Sequence, residues 1–226
     1  MINMNLRTYN KNYDKFLTDF FKILDKNNSK VTLSTTDHVI DPDSMDDNAC
    51  NGWIIEEDDG TFDFACAIGK GFDVWGPTLV HESCHIDQAL DDRKGKLKVK
   101  DNTSKESGDM WVWLSGKKVK RTKEEIDFFI QRAMMIELDN ERRTIKKMKK
   151  YKLPFDTKLY AQRANAYILF YKFIATHRCW YKPSKEPYVM EEILNIMPTK
   201  IGPNKNYDWN KPLPKGLEEL YKECCK

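Results

Sequence analysis

Two histidines four residues apart constrain this chain more than any other feature of its sequence. His81 and His85 occur in the stretch WGPTLVHESCHIDQAL, and Glu82 directly follows the first of them. Residues i and i+4 share one face of an α-helix, so both imidazoles can point at one ion if this stretch is helical. We predict such a helix, with Pro77 in its first turn, where the missing N–H costs nothing.

Glu82 indicates which reaction a metal ion bound by this histidine pair could catalyse. It lies about 100° further round the helix than His81, so it projects beside a bound ion rather than onto it. From there its carboxylate can take a proton from a water molecule that the metal activates. Two ligands and a general base on one rigid element are the physical content of the His-Glu-x-x-His pattern. The alternative interpretation is a solvated helix with two surface histidines.

A catalytic zinc ion needs a third protein ligand and an open position for water. Because no further histidine follows closely, we expect a carboxylate from a second helix, predicted over residues 123–151. Glu137 and Glu141 fall in the middle of its apolar stripe. Burying two carboxylates unpaired is costly, and a metal ion with a ligand histidine would compensate that cost. A slightly rotated helix would instead expose both glutamates.

His81-Glu82-x-x-His85 and Glu137-x-x-x-Glu141 together resemble the zincin metallopeptidases, in particular the gluzincin group. The resemblance implies a Zn²⁺-dependent hydrolase that cleaves peptide bonds, with His81, His85 and Glu137 as metal ligands and Glu82 as the catalytic base. It also implies that Glu141 hydrogen-bonds a ligand histidine. The segment ELDNER has Asn and Glu where several zincin families have Ala and Asp, which leaves open whether Glu137 or Glu141 binds the metal.

Peptide hydrolysis by this route also needs a hydrogen-bond donor for the developing oxyanion. In related families a Tyr or His from outside the motif provides it. The candidates here are Tyr160, Tyr167, Tyr171 and His177, of which we select Tyr167 and His177. The resemblance further implies that the strand over residues 61–69 is a sheet edge on which an extended peptide substrate pairs.

The stretches HESCHIDQ, ELDNERR and RANAYILFY are also similar to phage-encoded zincin-like proteins. This similarity fits an intracellular protein, in the host cytoplasm if the chain is viral, but supplies no substrate. The partner that the zincin resemblance implies is a peptide or protein substrate. Two other function classes remain open. One is a non-catalytic zincin scaffold that serves as a binding or structural module. The other is interaction with nucleic acid.

The hydrophobic pattern predicts an α+β fold, zincin-like, with a small mixed sheet packed on a mainly helical body. An amphipathic helix is expected over residues 12–26, a strand over 30–40 and a hairpin over 53–69. After the helix at 123–151, Asp156 can cap a third, very apolar helix.

We expect one domain over residues 1–226. Its expected parts are an N-terminal helix and small sheet (1–76), a metal-binding helical core (77–180) and a C-terminal wrap of short helices (181–226). The core contains a basic insertion.

The basic insertion, residues 93–123, has eleven Lys or Arg and three acidic residues, whereas residues 31–69 have ten acidic residues and no Lys or Arg. We expect the insertion to protrude as a β element or long hairpin near the mouth of the cleft. Trp111 and Trp113 would then line a substrate groove or pack the hairpin. The net charge of +3 gives no support to a dedicated nucleic-acid binder.

The remaining expectations concern compartment and other ions. The N-terminus lacks the apolar core of a signal peptide, and no stretch approaches a membrane span. We therefore expect the six cysteines to be reduced, with a Cys50–Cys66 bridge as the alternative. The stretch DPDSMDD lacks the Gly and the terminal Glu of an EF-hand loop, so it predicts a solvated acidic turn rather than a calcium site.

Overall fold

The computed structural model describes residues 10–42 and 49–226. Within these ranges the protein is mixed α and β and mostly helical, with seven α-helices, one 3-10 helix and a small sheet. The predicted α+β class is confirmed. The stretch DPDSMDD lies largely outside the described residues. No helix in the described ranges is both long and apolar enough to cross a membrane.

The chain divides into two compact units. The first contains the described part of residues 1–97 together with residues 143–155, and the second contains residues 98–142 and 156–226. These limits do not coincide with the expected segments 1–76, 77–180 and 181–226. The long helix that begins at Lys123 contributes residues to both units.

The first unit contains all the described strands. They are β1 (Lys30–Ser34), β2 (Val39–Ile40), β3 (Ala49–Cys50), β4 (Gly52–Glu56) and β5 (Phe62–Ala67). The main sheet has the order β1-β5-β4, with β1 parallel and β4 antiparallel to β5, while β2 and β3 form a separate antiparallel pair. The β4–β5 hairpin is confirmed, and the predicted strand over 30–40 is divided into β1 and β2.

Strand β5 is the centre of the sheet. It pairs with β1 on one side and β4 on the other, so the expectation that this strand forms a sheet edge is wrong. The reason is visible in its composition, since Phe62, Phe64 and Cys66 on one face and Ala65 and Ala67 on the other are all buried. A strand buried on both faces is typical of a central position. The antiparallel edge is β4 instead.

Helix α1 (Lys11–Lys26) begins at Asn10, whose side chain accepts hydrogen bonds from the N–H groups of residues 12 and 13. Phe16, Phe20 and Leu24 form the predicted apolar stripe and are buried, and the Phe20 ring packs edge-on against Phe64 of β5. Phe21, at the border of this stripe, is only partly buried.

Helix α2 (Phe72–Asp92) contains the histidine pair and packs on β4 and β5. It begins before the predicted start, so Pro77 lies in the second turn rather than the first and removes one helical hydrogen bond. Close packing surrounds this turn. The Tyr13 hydroxyl donates to the Gly76 carbonyl at 2.9 Å, and an added Cβ at Gly76 would lie 2.6 Å from Phe155 Cζ.

The second unit is built around the larger part of one long helix, whose predicted bounds are confirmed, and the whole of another. They are α4 (Lys123–Tyr151) and α5 (Thr157–His177), the latter capped by the Asp156 side chain. The expected C-terminal short helices are α6 (Glu191–Leu194), a 3-10 turn (Asn204–Tyr207) and α7 (Leu217–Cys224). They complete the core of this unit with the buried side chains of Ile193, Tyr207, Leu217 and Tyr221.

The basic insertion is helical, so the expected β element is wrong. Helix α3 (Ser104–Leu114) occupies its middle, and no strand lies anywhere in residues 93–123. The sequence signal for α3 was the Thr103-x-x-Glu106 capping box, in which each side chain accepts from the backbone N–H of the other residue. Met110 and Leu114 of α3 are buried in the core of the second unit.

Several charged and aromatic side chains of the insertion make contacts within the second unit. Arg121 pairs with Asp109 at 2.7 Å, and Trp111 packs edge-on against Trp180 at 4.8 Å. Trp113 lies under the guanidinium of Arg178. The two tryptophans therefore pack against other elements of this unit rather than along a hairpin.

One pair of cysteines departs from the expected reduced state. Cys179 and Cys225 form a disulfide, with their Cα atoms 6.3 Å apart. The alternative Cys50–Cys66 bridge is not formed, since both residues are free thiols.

The packing at Gly76 generates a stability prediction. Gly76→Ala should destabilise the protein by about 1–3 kcal/mol, because the new methyl group collides with the Phe155 ring. Gly108→Ala is the matched control. Gly108 also lies inside a helix, but nothing surrounds its Cβ position, so alanine there should stabilise by about 0.5–1 kcal/mol. Urea unfolding measures both changes, and equal effects of the two substitutions would contradict the described packing.

Candidate metal centre

The two imidazoles of α2 face one another on its surface, as the spacing predicts. Nε2 of His85 lies 3.3 Å from Nε2 of His81, and the ring planes meet at 77°. Both residues are only partly buried. The two nitrogens therefore direct their lone pairs, or a shared proton, into one small volume.

The distance between the two Nε2 atoms can be compared with the geometry of a tetrahedral metal site. Two ligand nitrogens at the usual ~2.0–2.1 Å from zinc lie about 3.3–3.4 Å apart in a tetrahedral site. The observed 3.3 Å between the Nε2 atoms equals that edge without any movement of the helix. The pair could therefore hold a divalent cation with little rearrangement.

Glu137 of α4 completes a possible ligand set. His81, His85 and Glu137 each offer one ligand atom, and these atoms all lie within 4.8 Å of one another. Glu137 is partly buried, so the alternative in which α4 rotates to expose its glutamates does not describe the structure. Two imidazoles and a carboxylate suit zinc and several other first-row divalent metals.

Gln88 sets the orientation of the second histidine. Nδ1 of His85 and Oε1 of Gln88 lie 2.9 Å apart, and Gln88 is buried one turn further along α2. When Nδ1–H donates to this amide oxygen, the lone pair of the neutral ring is on Nε2, which faces His81. A metal ligand needs this tautomer, and its outer nitrogen usually has a partner of this kind.

The environment also keeps His85 neutral. Burial, and then the neighbouring His81, lower the pKa of the His85 imidazole to about 3, although the Gln88 hydrogen bond acts in the opposite direction. A neutral imidazole is the form that binds metal.

Glu82 occupies a buried position between α2 and the sheet. It is 8% exposed, and a Cβ at Gly52 of β4 would lie 3.1 Å from its Cγ and 3.1 Å from Thr78 Cγ2. The missing side chain of Gly52 is what gives the Glu82 carboxylate room beside the edge strand.

Two thiols next to Glu82 are held in the protonated state. Burial, followed by the charge of Glu82, raises the pKa of Cys50 and that of Cys66 to about 12 each. Thiolate is the form of cysteine that binds metal, so neither residue competes for the ion at neutral pH.

Glu141 is buried one turn beyond Glu137 and lies near Tyr207, whose pKa is raised by burial and, to a smaller extent, by the Glu141 charge. Its expected hydrogen bond to a ligand histidine stays a prediction.

Of the two candidate oxyanion donors, Tyr167 lies near Glu137, whose charge affects the Tyr167 pKa. The Tyr167 and Tyr171 hydroxyls are 3.0 Å apart on α5, and burial, the other tyrosine and the charge of Glu137 hold the pKa of Tyr167 well above 10. His177 lies ten residues further along the same helix, roughly 15 Å away. Its ring stacks on Phe173 and pairs with Glu218 at 2.9 Å.

Two residues of this site escaped the sequence reasoning. Gln88 follows His85 by three residues, and that helical spacing was a usable signal because side chains at i and i+3 are neighbours. Gly52 had no local signal, since its role depends on where β4 lies against α2.

Comparisons of this chain with protein-family models, with curated proteins and with solved structures find no match.

The environment of His85 gives a prediction for the metal-free protein. At pH 5 the His85 ring should remain neutral, with its proton on Nδ1, whereas a histidine with the unperturbed pKa of about 6.5 is protonated there. Long-range ¹H–¹⁵N NMR spectra report both the charge and the tautomer. The same ring in urea-unfolded protein is the control. A folded-state midpoint near 6.5 would contradict the described environment.

The lowered pKa also fixes the direction of a stability change. Between pH values of about 6.5 and about 3, the unfolded chain binds a proton at His85 that the folded protein does not. The contribution of His85 to the free energy of unfolding should therefore decrease as the pH falls through this window.

Proposed function

We propose that this protein is a zinc-dependent hydrolase with a zincin-like fold that cleaves peptide bonds. The observation that supports this most directly is the group His81, His85 and Glu137, whose ligand atoms lie within 4.8 Å of one another. The 3.3 Å spacing of the two Nε2 atoms suits tetrahedral zinc, and a three-residue set leaves a fourth position for water. In this proposal Glu137 is the third ligand and Glu141 supports a ligand histidine.

A zinc ion bound there would polarise the scissile carbonyl and lower the pKa of a water molecule. The residues of the chain have separate tasks around it. Gln88 keeps the His85 tautomer, and Glu82 is the general base that takes the proton of the attacking water and delivers it to the leaving amine. The buried position of Glu82 beside Gly52 supports this role, because a carboxylate held away from bulk water exchanges its proton with substrate rather than with solvent.

Strand β4 provides a place for the substrate backbone. Asn51 accepts from Ala67, and Glu57 donates to Thr61, so the odd-numbered residues of this segment face β5. The backbone groups of Gly52, Ile54 and Glu56 therefore point away from β5. An extended peptide can add to such an edge by main-chain hydrogen bonds. Gly52 would bring that peptide next to Glu82.

Tyr167 is our candidate for the oxyanion donor. Burial and nearby negative charge keep its hydroxyl protonated at neutral pH, which is the state that donates. We favour it over His177, whose ring is occupied by Glu218.

A non-catalytic scaffold is the main competing function, and Glu82 separates the two, because a purely structural metal site has no use for a general base. Nucleic-acid binding through the basic insertion is weakened by internal pairing such as Arg121 with Asp109.

Metal analysis tests the ligand set. The purified protein should contain close to one equivalent of zinc, and His81→Ala and Glu137→Ala should each remove most of it. Glu124→Ala, at an exposed position of the same helix, is the control and should retain metal, whereas Glu141→Ala, which removes an outer support, should lower the zinc content less than either ligand variant. Full zinc content in both ligand variants would refute the site. Loss in Glu141→Ala but not in Glu137→Ala would make Glu141 the third ligand.

Activity of one further variant tests catalysis. Glu82→Gln should keep the zinc content of the wild type and lower the cleavage rate of a fluorogenic peptide library by at least about 10²-fold, because general-base catalysis contributes about 10²–10⁴-fold. Zinc-loaded wild-type protein that cleaves no member of a broad library would favour the non-catalytic scaffold. Undiminished cleavage by Glu82→Gln would remove Glu82 from the mechanism.

A further inference from the structure

The flank of α2 opposite the histidines makes a specific contact with α4. Ser83 and Asp87 each follow a ligand histidine by two residues, which places them about 200° round the helix from His81 and His85. Nζ of Lys147 lies 2.7 Å from Asp87 Oδ2, 2.9 Å from Ser83 Oγ and 3.2 Å from the Ser83 carbonyl oxygen. The ammonium group thus bridges two successive turns of α2.

This contact is saturated and partly buried. An ammonium group has three N–H donors, and three acceptors surround Nζ of Lys147. The Lys147 side chain is only 16% exposed. A charge removed from water to this extent is stabilised only if its partners remain in place, so the contact penalises any sliding of α4 along α2.

Two other contacts join α4 to α2 near this point. One is a second ion pair, in which Nη1 of Arg143 lies 2.7 Å from Asp91 Oδ2. The other is less directional. The Cys84 thiol and the Thr144 hydroxyl are hydrogen-bonded, and both residues are buried. Small side chains such as these allow close approach but tolerate several registers. The Lys147 contact, together with the Arg143–Asp91 ion pair, selects one of them.

We propose that Lys147 is a positioning residue for the metal centre. The proposal rests on the proposed function, since it assumes that His81, His85 and Glu137 bind one ion. Helix α4 is continuous from Lys123 to Tyr151, so the register that Lys147 imposes on α4 also applies to Glu137, ten residues earlier. Metal sites are sensitive to such support, because ligands must be held within about 0.5 Å of their productive positions.

The test compares Lys147→Met with Lys147→Arg and Tyr151→Phe in the full chain. Methionine keeps much of the side-chain volume but loses every hydrogen bond, whereas arginine can still reach Asp87 and Ser83. Tyr151→Phe is the structural control. It removes the 3.0 Å hydrogen bond from Tyr151 to Asp19, which joins the same end of α4 to α1 rather than to α2.

Zinc affinity is measured by competition with a chromogenic chelator, and the visible spectrum of the Co²⁺-substituted protein reports ligand geometry. Lys147→Met should weaken zinc binding by about 10–100-fold, the usual effect of losing an outer support, and alter the Co²⁺ spectrum. Lys147→Arg should restore affinity to within about three-fold. Tyr151→Phe should lower the thermal midpoint of the metal-free protein but leave both metal readouts unchanged.

The possible failures are distinguishable. Wild-type protein that binds neither Zn²⁺ nor Co²⁺ would refute the proposed function. Wild-type binding that is equally strong in Lys147→Met would refute the positioning role alone, as would a loss of affinity in Tyr151→Phe as large as in Lys147→Met. If Lys147→Met does not fold, Asp87→Asn replaces it, and unchanged affinity and spectrum in that variant would count against the proposal in the same way.

Discussion

Helix α2 lies against a sheet, yet it carries polar and titratable side chains around most of its circumference. The rest of the structure depends on how the cost of burying these side chains is compensated. Glu82 and Gln88 are buried, and the two histidines are partly buried. Each group would be costly in an apolar environment without a partner. Each of these polar side chains therefore needs a specific partner, or room of its own, in the surroundings of α2.

The residues that provide these partners and this room lie in different parts of the chain. Gln88 on α2 itself serves His85, Gly52 on β4 leaves room for Glu82, and Lys147 on α4 satisfies Asp87. No single segment contains the site, so its geometry is a consequence of tertiary packing. Local segments carry the reactive side chains. Tertiary packing decides whether those side chains can act together.

This division explains what the sequence could predict. The His-Glu-x-x-His spacing and the apolar stripe of α4 are local patterns, and the helices that they predicted are present with bounds close to those expected. The capping box at Thr103 and Glu106 is equally local, but the alternating Lys residues of KGKLKVK just before it favour a strand. In contrast, the central position of β5 and the role of Gly52 depend on contacts between distant segments, which periodicity does not encode.

The position of Glu82 bears on the choice between a catalyst and a scaffold. Its carboxylate shares a buried region with Cys50 and Cys66, and its charge contributes to the raised pKa of both thiols. A glutamine would fill the same space without introducing a charge near them. A structural metal site has no need of a proton acceptor there, whereas hydrolysis does. An acid at position 82 therefore accords with the catalysis that we propose.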